Sequence, residues 1–297
     1  MDLVEQLKDV MERRGYSQTQ VGRAIGRSGA VINQFLQGKY TGDNADLELR
    51  IEGFIARELE KQKAKRITAR FIETSTARRG LEVLSYAHQE SEMCVIYGAA
   101  GVGKTMILRE YAARNRDVLL IEADPGYTAR TLLGELCRQL GLKVRGNIHE
   151  LIDACVRELR GSARLVMVDE AELLPYRALE VLRRLHDKSG VGVVLAGMPR
   201  LLINLKGRSG EFAQLYSRVA LGLNLDDSFS RDDFNALAYG MMPEADDIEI
   251  SNALYERSKG NPRRLFKLAR GVYRICDISR ASVSVKAIDK FAEMLIH

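Results

Sequence analysis

Residues 94–105 read CVIYGAAGVGKT, an apolar run that leads directly into the pattern G-x-x-x-x-G-K-T. A loop with bulky side chains cannot wrap a polyanion, so glycines at positions 98, 101 and 103 allow backbone N–H groups to turn towards phosphate oxygens. The pattern therefore predicts a strand, a phosphate-binding loop and a helix in succession, which is the centre of a P-loop nucleotide-binding fold.

The end of this loop supplies the groups that a triphosphate requires. Lys104 is expected to neutralise the β- and γ-phosphates, and Thr105 to offer its hydroxyl to Mg²⁺ at the start of a helix whose dipole favours anions. ATP and Mg²⁺ are the predicted ligands. A chance Lys-Thr pair after a glycine-rich turn is the alternative, and the amphipathic segment MILREYAARN that follows argues against it. The predicted nucleotide-binding residues are Gly98, Ala99, Ala100, Gly101, Val102, Gly103, Lys104, Thr105 and Met106.

An acidic motif, LVMVDEAE at residues 165–172, follows a polar turn. In a parallel sheet, the end of such a buried strand lies beside the phosphate-binding loop. Asp169 is then expected to hold Mg²⁺ together with Thr105, and Glu170 to act as the general base for the attacking water. Alone, the motif also fits a strand end followed by a helix cap. Together with the loop it predicts an ATPase that uses Lys104, Asp169 and Glu170.

Composition limits the class of protein. With 297 residues and 46% hydrophobic content, the chain is long enough for two or three domains with full cores. No apolar run approaches the roughly 20 residues that span a bilayer, and the start MDLVEQLKDVMERR is unlike a signal peptide. We therefore expect a cytoplasmic protein without a membrane partner. Widely spaced cysteines predict reduced, mostly buried thiols and not zinc ligands or disulfides. They are Cys94, Cys137, Cys155 and Cys276.

The net charge of +5 is unevenly distributed. Residues 1–80 hold 15 basic and 11 acidic side chains, residues 81–255 hold 20 and 25, and residues 256–297 hold 10 and 4. Two basic ends that flank an acidic middle indicate polyanion contacts made by the ends, although solvated helix faces would give the same pattern.

Residues 17–38, SQTQVGRAIGRSGAVINQFLQG, have the spacing of a helix-turn-helix. Asn33 and Gln34 carry amides of the kind that read major-groove edges, and Arg27 and Lys39 are placed for phosphates. DNA binding is the favoured interpretation, and a helical module for protein contacts stays open. The side chains expected to point inward are Val21, Ile25, Val31, Ile32, Phe35 and Leu36, and those expected to point outward are Ser28, Gly29, Ala30, Asn33 and Gln34.

Four regions follow from the pattern along the chain. We expect the helix-turn-helix module in residues 1–56, a basic linker in 57–80, a nucleotide-binding core in 81–228 and a helical lid in 229–297. In the core, strand-like runs alternate with helical segments, which predicts an α/β fold with a parallel sheet and helices on both faces. The expected strands are MCVIYG, DVLLIEA, LVMVDEAE and VGVVLAG, and the expected lid helices lie around 231–241, 249–259, 262–276 and 284–295.

The order of these motifs resembles that of AAA+ ATPases, and nearly the whole chain resembles the phage Mu transposition protein B family. The loop and the acidic strand are typical of the whole superfamily, whereas their combination with the amino-terminal module and PYRALEVLRRLHDK is more specific. The segments that carry the resemblance are QFLQGKYTGD, GAAGVGKT, LVMVDEAELLPYRALEVLRRLHDKSG, GEFAQLYSRV and GNPRRL.

The resemblance implies roles for further residues. Arg218 in LYSRV matches an arginine finger that reaches the ATP of a neighbouring subunit, and its alternative is an ordinary surface charge. Arg263 in GNPRR matches a lid residue that contacts the γ-phosphate, with Arg264 as its substitute, although Gly-Asn-Pro also suits a helix start. VGVVLAG ends in Gly197, where many AAA+ ATPases have a polar residue, so hydrolysis is expected to be slow and to time release.

DNA contacts are also implied, because loops that line the central channel of AAA+ assemblies commonly bind it. Arg130, Lys143 and Arg145 are the expected contacts, and ordinary exposed charges are an equal alternative.

The expected function is that of an ATP-dependent ATPase that binds duplex DNA with little sequence preference. It would assemble on target DNA as a ring or helical filament and deliver that DNA to a cognate transposase, in the host cytoplasm if a phage encodes it. Two alternatives remain open, a nucleotide-gated helix-turn-helix transcriptional regulator and a helicase loader. A regulator would protect one DNA site, whereas a target-binding protein would cover any sequence.

Overall fold

The computed structural model describes residues 2–63, 70–207, 212–227 and 229–295. The chain divides into two compact units, Met1–Thr68 with Arg270–Ser282, and Ala69–Ala269 with Val283–His297. Residues 64–69 of the expected basic linker lie outside the described residues. Within the described part of the chain, no helix combines the length and the hydropathy that crossing a bilayer demands.

Short helices around an apolar core form the amino-terminal part of the first unit. The core side chains Leu7, Val21, Ile32, Leu47 and Ile51 are completely buried. Both helices expected in residues 17–38 are present. The helices are α1 (Leu3–Arg14), α2 (Gln18–Ile25), α3 (Gly29–Leu36) and α4 (Asn44–Lys63).

Two serines determine where α2 and α3 begin. The Ser17 hydroxyl accepts a hydrogen bond from the Gln20 N–H, and the Ser17 N–H donates to the Gln20 side chain. The Ser28 hydroxyl accepts the Val31 N–H in the same way. Such caps satisfy N–H groups that have no partner inside the helix. A Cβ atom on Gly22 would lie 2.7 Å from the Arg27 carbonyl oxygen, so the chain needs a glycine at this position.

A five-stranded parallel sheet forms the centre of the second unit. Its order is β2-β3-β4-β1-β5, and every neighbouring pair is parallel. The four strands expected from the sequence are confirmed as β1 to β4, and β5 is an edge strand that the sequence reading missed. The strands are β1 (Met93–Tyr97), β2 (Val118–Glu122), β3 (Leu165–Asp169), β4 (Gly192–Gly197) and β5 (Val219–Asn224).

Helices cover both faces of this sheet, as expected. Because alternate strand residues face opposite sides of the sheet, Val166 of β3 packs in the core on one face and Met167 packs in the core on the other. All four cysteines are buried, three of them in these cores. The helices are α5 (Ser75–Gln89), α6 (Lys104–Arg114), α7 (Ala129–Gln139), α8 (Ile148–Leu159), α9 (Tyr176–Ser189), α10 (Arg200–Lys206) and α11 (Ala213–Tyr216).

After β5, the described part of the chain forms helices at the four places expected for the lid. Residues 270–279 of the long helix α14 belong to the first unit, and its first part belongs to the second. The helices are α12 (Arg231–Met241), α13 (Ile248–Ser258), α14 (Pro262–Ser279) and α15 (Val285–Ala292).

Two expected boundaries fall inside helices. Residues 57–63 continue α4, so the cut between residues 56 and 57 lies inside that helix. Residues 75–80 begin α5, so the cut between residues 80 and 81 also lies inside a helix. α5 packs against β1 and β4, and its Leu84 is completely buried in the core beside the sheet. Residues 75–80 therefore belong to a helix that packs on the sheet, and they are not part of a linker.

Candidate nucleotide site

The loop between β1 and α6 lies at the carboxyl edge of the sheet. Gly101 and Gly103 have φ angles of 88° and 112°, a region that glycine enters without a steric penalty. Gly103 immediately precedes α6, so the loop leads directly into the positive end of the helix dipole. The strand, loop and helix expected from residues 94–105 are present.

Two residues predicted to hold a metal ion are in contact. The Thr105 hydroxyl donates to Asp169 Oδ2 over 2.6 Å, which joins the first turn of α6 to the end of β3. Lys104 Nζ donates to the carbonyl oxygens of Gly98 and Ala99 over 2.7 and 2.9 Å. Burial lowers the pKa of Lys104. The charges of the nearby carboxylates act to raise it, and that of Glu172 has the largest effect.

Glu170, the predicted general base, has an unusual backbone. Its φ angle of 52° and ψ angle of 35° lie in the left-handed region. Residues with a Cβ rarely adopt this conformation, and those that do are often found at active sites. Burial raises the pKa of its carboxyl group, and the charges of Asp169 and Glu172 raise it further. A carboxylate with a raised pKa is better matched to accept a proton near neutral pH.

A cavity of about 530 Å³ opens beside these groups. Its polar end contains residues 100–106 of the loop, Asp169, Glu170 and Glu172. The other end is apolar, a combination that suits a phosphate chain joined to a flat base. The sequence reading missed this apolar end. It is formed by Phe71, Ile72, Ala77, Phe229, Leu237, Met241 and Phe266.

The start of α14 and the residue before it contact the phosphate-binding loop directly. Asn261 Nδ2 donates to the Ala100 carbonyl oxygen over 2.9 Å, and Asn261 Oδ1 accepts the N–H of Arg263. A Cβ atom on Gly101 would lie 2.6 Å from the Arg263 Cβ. Arg263 lines the cavity, and its charge adds to the lowering of the Lys104 pKa and opposes the raising of the Glu170 pKa. Arg264 is not among the residues that line the cavity.

Asp226 is a further loop contact that the sequence reading missed. It follows β5, and its two carboxylate oxygens accept the Ala99 N–H over 3.0 and 2.8 Å. Because β5 was not predicted, its end could not be assigned to the loop. This carboxylate fixes the first turn of the loop from the sheet edge.

The sequence is similar to proteins of known families. Residues 87–205 match the family model of the AAA domain. The Mu-like prophage FluMu DNA transposition protein B of Haemophilus influenzae is 29% identical over 269 residues, which cover 88% of this chain and 93% of that protein. The ATP-dependent target DNA activator B of Escherichia phage Mu is 33% identical, covering 74% of this chain and 71% of that protein. The chain belongs to the family of target DNA activator B.

A solved structure supports the fold of this target DNA activator B family member. The ORC2 protein of Aeropyrum pernix, in its ADPNP-ADP complexes, superposes with a TM-score of 0.56 and 18% identity. The match covers 77% of this chain and 71% of that chain. Together with the AAA domain, the fold identifies the chain as a nucleotide-binding AAA ATPase.

In this target DNA activator B family member, Arg218 lies away from the cavity of its own chain. It stands in the turn before β5, and its Nε donates to Asp187 Oδ1 over 2.9 Å. The side chain is 47% exposed. Arg218, the predicted arginine finger, is therefore paired within its own chain and half exposed to solvent.

The predicted DNA contacts lie in two groups, one in each unit. Asn33, Gln34 and Lys39 are exposed around α3, and Arg27 pairs with Asp46 over 2.6 Å. In the second unit, Arg130 Nη1 donates to the Gly146 carbonyl oxygen over 2.8 Å. That bond brings the start of α7 next to the exposed turn that holds Lys143 and Arg145.

Proposed function

We propose that this protein is an ATP-dependent ATPase that binds duplex DNA with little sequence preference, assembles on it and delivers it to a transposase while stimulating strand transfer. The names of its relatives in phage Mu and Haemophilus influenzae support target DNA activation and transposition. The observation that carries the proposal is the contact of Thr105 with Asp169 beside Lys104 and Glu170, in a cavity large enough for a nucleotide.

The residues at the polar end of the cavity fit ATP and Mg²⁺. Thr105 and Asp169 offer the hydroxyl and carboxylate oxygens that Mg²⁺ prefers, and the loop N–H groups face the phosphates. Mg²⁺, when bound, neutralises part of the charge that develops on the phosphates. Lys104 would exchange its bonds to Gly98 and Ala99 for phosphate oxygens, which are stronger acceptors for an ammonium group.

Hydrolysis follows from the position of Glu170. It would take a proton from a water molecule whose oxygen forms a bond to the γ-phosphorus, while the bond to the β,γ-bridging oxygen breaks and ADP leaves. Arg263 would stabilise the γ-phosphate from the lid of the same subunit. Arg218 would do so from a neighbouring subunit after it leaves Asp187, which would couple hydrolysis to assembly.

Two surfaces would contact DNA. Arg27, Asn33, Gln34 and Lys39 would meet it through the amino-terminal module, and Arg130, Lys143 and Arg145 would hold phosphates. Phosphate contacts carry no base information, which agrees with a protein that accepts most target sequences.

Binding to random-sequence duplex DNA tests this function. It is measured with ATP, with ADP and without nucleotide, and the products are imaged for wild type, Lys104→Ala and Arg218→Ala. Arg116→Ala is the matched control, because Arg116 is exposed just before the amino end of β2, opposite the nucleotide site. We expect wild type and Arg116→Ala to coat the DNA cooperatively when ATP is present, and Lys104→Ala and Arg218→Ala to lose this coating. Protection of one site, or coating that ignores ATP, would favour a transcriptional regulator.

A further inference from the structure

Glu172 is an acidic residue at the polar end of the cavity to which the sequence assigned no role. It lies in a short 3-10 turn (Ala171–Leu173) just after β3. Asn204 Nδ2 donates to its backbone carbonyl oxygen over 2.9 Å and fixes the turn to α10. Its Oε2 atom is buried and has no hydrogen-bond partner in the described part of the chain. A buried carboxylate oxygen without a partner is unfavourable and calls for a functional explanation.

The end of β4 is shaped around this carboxylate. A Cβ atom on Gly197 would lie 2.2 Å from Glu172 Oε2 and 3.2 Å from Leu201 Cδ2. Gly197 is absent from the glycines with positive φ, so its backbone conformation alone does not require glycine. The missing side chain instead leaves the space that the Glu172 carboxylate fills. Position 197 itself carries no polar side chain, but the carboxylate of Glu172, from the turn after β3, lies beside it.

No group in the described part of the chain donates to Glu172 Oε2, so a donor that enters the cavity would satisfy it. An ionised carboxylate only accepts hydrogen bonds. Two cations line the cavity near Glu172. Lys104 already bonds two loop carbonyl oxygens, and the proposed function assigns both Lys104 and Arg263 to phosphates. Water is the remaining donor at the polar end of the cavity, where Glu170 and Glu172 are close enough to influence each other electrostatically.

We propose that Glu172 orients the water molecule that attacks the γ-phosphate, and that Gly197 is a glycine because it makes room for that carboxylate. One O–H of the water donates to Glu170, which takes the proton, and the other donates to Glu172, which keeps its charge. The oxygen lone pair then faces the γ-phosphorus. The inference rests on the ATP hydrolysis of the proposed function.

Single-turnover hydrolysis and ATP affinity, measured separately, test the role of Glu172. Glu172→Ala is expected to slow hydrolysis roughly 10- to 100-fold, the scale of one positioning contact. Glu172→Gln keeps an acceptor oxygen in nearly the same shape and is expected to lose less than about 5-fold. Both should bind ATP as tightly as wild type or a few-fold tighter, because a negative charge beside the triphosphate is gone. A wild-type rate for Glu172→Ala would overturn the proposal.

Gly197→Ala displaces the carboxylate without removing it. It is expected to slow hydrolysis as much as Glu172→Ala, and the double variant should be no slower than either single variant, because both act through one contact. Gly222→Ala in β5 is the matched control, since its Cβ would meet only Tyr97 Cε1 at 4.0 Å. Losses that add in the double variant would contradict the proposal.

Two further variants separate this inference from the proposed function. Lys104→Ala should lose ATP binding, and Glu170→Gln should lose hydrolysis but keep binding. If both hydrolyse ATP normally, the proposed function itself fails. If both are inactive while the Glu172 and Gly197 variants keep the wild-type rate, only the present inference fails. Thermal melting with and without ATP shows for each variant that the chain is folded and the site is formed.

Discussion

Asp233 joins the lid helix α12 to the start of α5. Its carboxylate accepts hydrogen bonds from the backbone and hydroxyl groups of Ser75 and Thr76, over 2.6 to 3.3 Å. The side chain is only 4% exposed. Burial acts to raise its pKa, but the bonds from Thr76, Ser75 and Ser230 outweigh burial and hold the pKa below the ordinary value. A carboxylate at a helix start also interacts favourably with the helix dipole.

We expect Asp233→Asn to lower the free energy of unfolding at pH 7 by roughly 1–3 kcal/mol, the range for hydrogen bonds to a charged group. Because the folded pKa is depressed, the contribution is complete above the unfolded pKa and disappears as pH falls through the folded pKa. The difference from wild type should therefore shrink below about pH 4. Thermal melts at pH 7 and at pH 3.5 measure it. Asp232→Asn, at the exposed neighbouring position, should match wild type throughout.

Single residues differ in how far the sequence reveals them. Lys104, Thr105 and Asp169 stand in local patterns whose spacing follows from phosphate chemistry, so they could be predicted. Asp226 and Glu172 could not be predicted. The role of Asp226 depends on which strand ends are neighbours, and that of Glu172 depends on the space left by the glycine at position 197. An acidic residue three positions after Asp169 has no local signature that distinguishes it from a surface charge.

At the scale of elements, the glycines of the loop and of the helices give opposite predictions. Gly101 has a φ angle of 88°, and a Cβ there would lie 2.6 Å from Arg263 Cβ, so Gly101→Ala should destabilise the protein by about 1–3 kcal/mol and abolish ATP binding. Gly53 lies inside α4 with open space around a Cβ, so Gly53→Ala should stabilise by roughly 0.5–1 kcal/mol. Denaturant unfolding and ATP titration measure both effects. Equal effects from the two variants would contradict the geometry.

Among the elements, strands β1 to β4 could be predicted because they are buried runs beside clear helical segments. β5 could not, since Ala220, Leu221 and Gly222 are exposed and give no alternation. This strand is held by its pairing with β1, which is an interaction with a distant part of the chain. The apolar end of the cavity was missed for the same reason: Phe71, Met241 and Phe266 come together only in the folded chain.

At the scale of the whole molecule, the number of phosphate contacts predicts how DNA binding responds to salt. Each phosphate contact contributes a slope of about −0.9 when the logarithm of affinity is plotted against that of salt concentration. Lys143→Ala with Arg145→Ala should therefore flatten the slope by about 2 units. Arg116→Ala with Arg157→Ala, a control pair of exposed arginines near the amino edge of the sheet, should leave it unchanged. Titration of labelled duplex at several salt concentrations measures the slopes, and equal slopes for both pairs would remove Lys143 and Arg145 from the DNA surface.

The contact between Asn261 and the Ala100 carbonyl oxygen connects the lid to the loop through groups that belong only to the protein. If ATP binds as proposed, any movement that separates the start of α14 from the loop must break this hydrogen bond. A stronger contact would therefore slow the opening of the cavity, and a weaker one would let nucleotide enter and leave more readily.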